Sequence, residues 1–162
     1  MFKRLGRVRR LWFVLGIAAV LTAVGLIPMG ANATNIGEQG CTPGYWKNHT
    51  SAWEEYTPTS RLGFNWTIPP ELSQFDNVTF LQALQGGGGP GVVGAATILF
   101  RAAVAADLNA ANEGVGYPYR RFKDPFHIQL QVNNALASLD RDTMLDLAKV
   151  LDDANNLGCP LN

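Results

Sequence analysis

The sequence predicts a mainly α-helical protein, a single compact domain of four to five helices that one disulfide closes between its N- and C-terminal ends. Apolar residues recur at helical spacing in several segments, and the sequence shows no run of three or more alternating strands. The two cysteines, Cys41 and Cys159, stand near the two ends of the region that follows an apolar leader. That region has 129 residues, which suits one domain with one core.

Residues 1–33 have the three parts of a secretory signal peptide. Five basic residues fall within the first ten, an uncharged run covers residues 11–29, and Ala31-Asn32-Ala33 provides a small-x-small cleavage site. Pro28 is predicted to end the apolar helix just before that site. An uncleaved membrane anchor is the alternative, because the 19 uncharged residues almost reach the ~20 that span a bilayer. Both interpretations place the rest of the chain outside the cytoplasm, secreted or at the cell surface.

The charge balance changes once the leader is set apart. The whole sequence carries 13 basic and 13 acidic residues, whereas residues 34–162 keep 8 basic and all 13 acidic residues, a formal net charge of −5. Basic charge must neutralise phosphate when a protein binds nucleic acid or an anionic lipid surface. We therefore expect no nucleic-acid partner, and membrane contact only through an uncleaved leader.

Cys41 and Cys159 are the only cysteines in the sequence. In an exported chain two cysteines indicate one disulfide, with two free thiols or pairing between two chains as the alternatives. Closing so long a loop stabilises the fold by up to ~5 kcal/mol through the entropy of the unfolded chain. Two distant cysteines lack the close-spaced ligand pairs of zinc sites, so we expect no metal.

The domain begins with a predicted helix. Residues 34–40 are a short polar lead-in, predicted to be flexible, and the helical extracellular domain covers residues 41–162. Thr42 and Pro43 favour a helix start, because the hydroxyl caps the first turn and proline at the first helical position loses no needed donor. The helix is predicted to run to about Tyr56, before Thr57-Pro58. Spacings of 3, 4 and 3 would place four residues on one face: Trp46, His49, Trp53 and Tyr56.

The middle of the domain is predicted to contain one long apolar helix. Residues 57–75, rich in proline and aromatic residues, favour an ordered loop, and Asp76 or Asn77 is predicted to cap a short helix through Leu84. The glycine-rich run 86–91 breaks regular structure. Residues 92–111 are apolar on nearly every side except at Arg101 and Asp107, which predicts the central buried helix. Its apolar stretches look too short and too interrupted for a membrane span.

Two amphipathic helices are predicted to close the domain. Residues 117–126 form a predicted loop that carries the densest basic charge after the leader. Apolar residues then recur at helical spacing from Ile128 to Leu139, and again from Met144 to Ala154. Asp140 is the predicted cap of the second helix and Gly158 its stop.

The first candidate site is the aromatic face of the opening helix and the polar residues beside it. Extracellular domains stack sugar rings on exposed tryptophan, whereas buried tryptophan only supplies contact area. Packing is the favoured interpretation and a ligand platform the alternative. The candidate binding face consists of Trp46, Lys47, Asn48, His49, Trp53 and Tyr56.

The second candidate site is the basic loop. Arg120, Arg121 and Lys123 stand among tyrosines and phenylalanines, a composition suited to gripping an anionic wall polymer or glycan. A solvated loop without a ligand is the favoured interpretation, and binding of such an anion is the alternative.

No catalytic motif is visible. The sequence has neither His-Glu-x-x-His nor Gly-x-Ser-x-Gly, and its two histidines, His49 and His127, are far apart. The run 86–91 formally fits Gly-x-Gly-x-x-Gly, but no strand precedes it and no phosphate-binding lysine follows, so we expect no cofactor. A secreted hydrolase that uses His49 with an acid from elsewhere is the alternative.

The run Cys41-Thr42-Pro43-Gly44-Tyr45-Trp46-Lys47-Asn48-His49 resembles the opening of a family of secreted or surface-anchored prokaryotic proteins. Their domains begin with Cys-Thr-x-Gly-(Tyr/Phe)-Trp-Lys-Asn-His, and the similarity extends to the helix ending at Asn112 and to Gly158-Cys159. The chain departs from the family at Thr50, where many members have proline, and at Pro43-Gly44, where many members have a Thr-Gln-Gly run. The resemblance implies export and a Cys41–Cys159 link; the family has no established activity and lends no catalytic residues.

We therefore expect an exported, non-catalytic extracellular or cell-surface module that binds a glycan or a surface protein, or that contributes to an assembly. The secreted hydrolase acting on wall or polymer substrates is the second hypothesis.

Overall fold

The computed structural model describes residues 37–123 and 127–161, so the predicted signal peptide and the start of the lead-in lie outside the described residues. Within these ranges the fold is mainly α, as predicted, and contains no β-strand. The six α-helices are α1 (Pro43–Asn48), α2 (Leu62–Asn65), α3 (Phe80–Leu84), α4 (Gly91–Ala111), α5 (Ile128–Ser138) and α6 (Arg141–Asn155). Two 3-10 segments cover Thr50–Ala52 and Pro70–Phe75.

Helix α4 is the centre of the domain, as its composition predicts. It contacts α1, α3, α5 and α6, most extensively α6, and its run of small buried alanines lets α6 approach closely. By length and composition alone α4 could cross a membrane, so the prediction that its apolar stretches are too short was wrong. However, 67% of its most apolar stretch is buried inside the domain, which is the environment of a core helix.

Side-chain caps define several helix starts. Thr42 Oγ1 accepts a hydrogen bond from Tyr45 N at α1, and Asp140 caps α6 by accepting from Thr143 N, both at the predicted positions. The prediction of Asp76 or Asn77 as the cap of α3 was wrong. Thr79 caps this helix instead, because its hydroxyl and the Gln82 side chain form a reciprocal capping box.

The first helix is shorter than predicted and ends at Asn48 rather than near Tyr56. Side chains satisfy the carbonyls that a longer helix would have used. Asn48 Nδ2 donates to Gly44 O at 3.0 Å, and Trp53 Nε1 donates to Trp46 O at 3.0 Å. His49 then leaves the helical conformation, at φ −121° and ψ 53°. The four predicted face residues therefore do not share one helix.

The predicted disulfide joins Cys41 to Cys159 across 118 residues of sequence. Beside it the two segments that carry the cysteines pair, since Gly40 N donates to Gly158 O at 3.1 Å. The contact is so close that a Cβ at Gly40 would lie 2.1 Å from Ala154 O of α6. The disulfide is compatible with an extracytoplasmic location, where such bonds persist.

Candidate functional site

The aromatic residues of the candidate binding face belong mostly to the core. The Trp46 side chain is fully buried, and its Nε1 donates to Asn109 Oδ1 of α4 at 3.1 Å. Trp53 is half-buried and its indole nitrogen is bound to Trp46 O. The Tyr56 ring packs 5.0 Å from the Phe80 ring. These contacts agree with the packing interpretation and leave no open row of tryptophan faces.

The polar residues of the candidate binding face are exposed: Lys47, Asn48 and His49. Asn48 ends α1 through its bond to Gly44 O, and the His49 ring stacks on the Tyr45 ring with centroids 4.1 Å apart. His49 Nδ1 lies 2.9 Å from Tyr45 O. The helix end thus accounts for Asn48 and His49, whereas the Lys47 side chain has no hydrogen bond or ion pair with any described residue.

The second histidine also has a structural role. His127 precedes α5, and its Nδ1 accepts a hydrogen bond from Leu130 N at 3.1 Å, which caps the helix. Neither histidine forms an ion pair with a carboxylate in the part of the chain that the structure describes. No group of three or more metal-ligating side chains occurs there either. Among the described residues, the two histidines therefore belong to neither a carboxylate ion pair nor a metal-ligating group.

The basic loop, in contrast, forms a surface cleft of roughly 330 Å³. The three predicted basic residues line it together with three aromatic residues, and Ala110 and Val115 complete the lining. Phe122 is 46% exposed and Tyr119 is 36% exposed, so their rings are available to a ligand. We call this the basic–aromatic cleft; its six principal residues are Tyr117, Tyr119, Arg120, Arg121, Phe122 and Lys123.

A buried amide network anchors one wall of this cleft. Tyr117 donates its hydroxyl hydrogen to Asn155 Oδ1 of α6 at 2.8 Å, and Asn109 Nδ2 donates to the same oxygen at 2.9 Å. Asn109 also accepts from Cys41 N at 2.7 Å and donates to Cys41 O at 2.8 Å. The amide network (Cys41, Trp46, Asn109, Tyr117 and Asn155) thus connects the cleft to the disulfide.

Arg121 is the least accessible basic residue of the cleft, with 14% of its side chain exposed. Its Nη1 donates to the Tyr56 hydroxyl at 3.2 Å, and its Nη2 donates to Glu55 Oε1 at 2.7 Å. The guanidinium carbon lies 5.5 Å from the centre of the Tyr56 ring and 5.2 Å from that of Phe122. Two rings and two hydrogen bonds therefore fix the position of this cation.

A buried carboxylate lies behind Arg121. Asp107 of α4 is fully buried, and its Oδ2 accepts a long hydrogen bond of 3.4 Å from the Tyr56 hydroxyl. Its Oδ1 has no hydrogen-bond partner among the described residues. Burial raises the pKa of Asp107 from 3.8 to about 7, although the charge of Arg121 opposes this. Burial and the neighbouring Asp107 raise the pKa of Tyr56 to about 12.

We call Glu55, Tyr56, Asp107 and Arg121 the Arg121 cluster. Sequence reasoning finds Arg121 as a candidate ligand residue but assigns no role to Glu55 or Asp107. The available signal is Asp107 itself, an acid within an alanine-rich apolar helix, where an ionisable group must have a special partner.

The fold and these contacts define the class of the protein: a disulfide-closed, mainly α-helical domain with a basic–aromatic cleft on its surface. Comparison of the chain with known protein families, with curated proteins and with solved structures found no match.

Proposed function

We propose that the protein is an exported, non-catalytic module of the cell surface or extracellular space that binds an acidic glycan in the basic–aromatic cleft. The observation that carries the proposal is the cleft itself. It combines Arg120, Arg121 and Lys123 with exposed rings of Tyr119 and Phe122.

The two kinds of side chain suit the two parts of an acidic sugar. Aromatic faces pack against the apolar face of a sugar ring, and arginine and lysine donate charge-assisted hydrogen bonds to its carboxylate. Three of the eight basic residues outside the leader lie within four positions of this loop, whereas the domain as a whole is acidic. Such a local positive patch attracts an anion to one place and leaves the rest of the surface repulsive to it.

Three features support export. The leader has the pattern of a signal peptide, and the disulfide suits an oxidising compartment. The opening motif resembles that of a secreted or surface-anchored prokaryotic family.

The hydrolase hypothesis gains no support from the described residues. His49 stacks on Tyr45 and His127 caps α5, so both rings already serve the fold. Asp107 has the pKa of a general acid, but the side chain is fully buried and has no access to a substrate.

Calorimetric titration of the oxidised protein with oligogalacturonate, a chain of galacturonic acid units, tests the proposal against neutral dextran oligomers. We expect binding only to the acidic chain, with an affinity that falls as added salt screens the charges. The double substitution Arg120→Ala/Lys123→Ala is expected to weaken binding about tenfold, because two charge-assisted contacts are lost.

The matched control is Arg101→Ala/Lys47→Ala, which removes two exposed basic residues outside the cleft. An equal loss of affinity in both double variants would show that only net charge matters and would contradict binding in the cleft. Release of reducing ends from the oligomer would instead establish the hydrolase.

A further inference from the structure

The ion pair between Glu55 and Arg121 joins a movable partner to a fixed one. The Glu55 side chain is 58% exposed, against 14% for Arg121. Glu55 contacts the guanidinium through a single hydrogen bond from Nη2. Arg121, in contrast, is also bound to the Tyr56 hydroxyl and enclosed by two rings. Because Arg121 is largely buried, its cation requires an anionic partner, whereas the exposed Glu55 carboxylate can return to water when another carboxylate takes its place.

The backbone at Glu55 is strained. Its φ is +60°, in the left-handed region that residues other than glycine rarely adopt. Tyr56 N donates to Glu54 O at 2.7 Å, which closes a tight three-residue turn with Glu55 at its centre. Strain of this kind clusters at sites that bind or switch, because elsewhere an unstrained conformation is available. The turn places the exposed Glu55 side chain beside Arg121, where its carboxylate accepts one hydrogen bond from Nη2.

We propose that Glu55 is a built-in substitute for the ligand, and that an acidic glycan binds by replacing the Glu55 carboxylate at Arg121 with one of its own. This inference rests on the proposed function of the cleft. The exchange leaves Arg121 in place, because Tyr56 and Phe122 continue to hold it.

Because the Glu55 carboxylate occupies the place of the ligand, the ligand is expected to carry a carboxylate as well. A carboxylate is planar, carries one negative charge, and pairs with a guanidinium through two parallel hydrogen bonds when it is free to approach. A uronate unit of an acidic polysaccharide presents such a group on a sugar ring. Exposed Arg120 and Lys123 line the same cleft and are available to further units of the same chain. The preferred ligand is therefore a chain of successive uronates.

Glu55→Gln tests the substitution directly, with Glu54→Gln as the matched control. Both glutamates are exposed neighbours and both changes remove one negative charge, but Glu54 accepts from Glu113 N and forms neither a hydrogen bond nor an ion pair with Arg121. Loss of the competing Glu55 carboxylate is expected to tighten oligogalacturonate binding about two- to fivefold beyond the effect of Glu54→Gln. In an Arg121→Lys background the same change is expected to have no such advantage.

The outcomes separate the inference from the function on which it rests. If the wild-type protein binds oligogalacturonate and Glu55→Gln matches Glu54→Gln, the substitute role is overturned and the cleft stands. If Glu55→Gln binds more weakly, Glu55 positions Arg121 instead of competing with the ligand, which also overturns the inference. If neither the wild-type protein nor any variant binds, the proposed function fails together with the inference. Thermal unfolding of each variant confirms that it is folded.

Discussion

Two polar residues of α4, Asp107 and Asn109, are both fully buried, yet their surroundings differ completely. Asn109 uses all its hydrogen-bonding capacity: its oxygen accepts from Cys41 N and Trp46 Nε1, and its nitrogen donates to Cys41 O and Asn155 Oδ1. Asp107 has one long hydrogen bond and one oxygen without a partner among the described residues.

The difference extends to the regions around them. The amide network is neutral, buried and lies beside the disulfide, whereas the Arg121 cluster is ionisable, reaches the surface and includes a strained backbone turn. A satisfied neutral network stabilises one structure. A buried acid with an unmatched oxygen lowers stability, and such groups are concentrated at functional sites. The contrast agrees with our proposal, in which the disulfide end maintains the fold and the Arg121 cluster serves the cleft.

The largest change in the free energy of unfolding is expected at the amide network. Asn109→Ala removes four hydrogen bonds and leaves the buried Cys41 and Trp46 donors without partners, so we expect a loss of about 3–5 kcal/mol in the free energy of unfolding. Urea unfolding with the disulfide intact measures it. Asn134→Ala, at an exposed position of α5, is the control and should change stability by less than about 0.5 kcal/mol. Similar losses in the two variants would contradict the structural role of the network.

A substitution at Asp107 is expected to raise the free energy of unfolding, the opposite of the change at Asn109. Its folded-state pKa of about 7 lies above the ordinary 3.8, so the folded protein binds this proton more tightly than the unfolded chain does. The contribution of Asp107 to stability is therefore present at low pH and is lost as the pH rises from about 4 to about 7. Asp107→Asn abolishes that loss, and at pH 8 we expect the variant to be more stable by on the order of 2 kcal/mol.

Urea unfolding at pH 5 and pH 8 measures this dependence. Asp146→Asn, at an exposed position of α6, should leave the wild-type dependence on pH unchanged. A wild-type stability that rises between pH 5 and pH 8, with the rise absent in Asp107→Asn, would show that the carboxylate is stabilised in the fold and would contradict the contrast with Asn109.

The sequence predicts the features that depend on local pattern. The caps at Thr42 and Asp140 follow from side chains that bind the backbone three residues on, and the core position of α4 follows from its composition. The disulfide follows from two cysteines in a chain whose leader predicts export. The basic loop is also visible as a charge cluster, because it depends on adjacent residues only.

The remaining features depend on partners distant in sequence. Glu55 meets Arg121 across 66 residues, and Asn109 meets Cys41 across 68. The early end of α1 depends on Trp53 folding back on Trp46 O, a contact that helical periodicity does not represent. Nothing in the local sequence pattern distinguishes Glu55 from Glu54, although of these two residues Glu55 alone adopts a left-handed backbone.

The smallest predicted effect isolates that backbone strain. Glycine adopts a positive φ without the steric cost that other residues carry, so we expect Glu55→Gly to be more stable than Glu55→Ala by about 1 kcal/mol. At Glu54, whose backbone is not left-handed, glycine should be less stable than alanine. Thermal unfolding of the four variants compares the two positions; the same order of stability at both would show that the Glu55 turn is not strained.

The most direct test of the central claim is the map of backbone amide shifts in a 15N-labelled sample during titration with oligogalacturonate. We expect the largest shifts at residues 117–123 and at Glu55 and Tyr56, and only small shifts at Lys47, Asn48 and His49. Largest shifts at the Tyr45–His49 surface, with the cleft unaffected, would move the binding site to the opening motif and contradict the account.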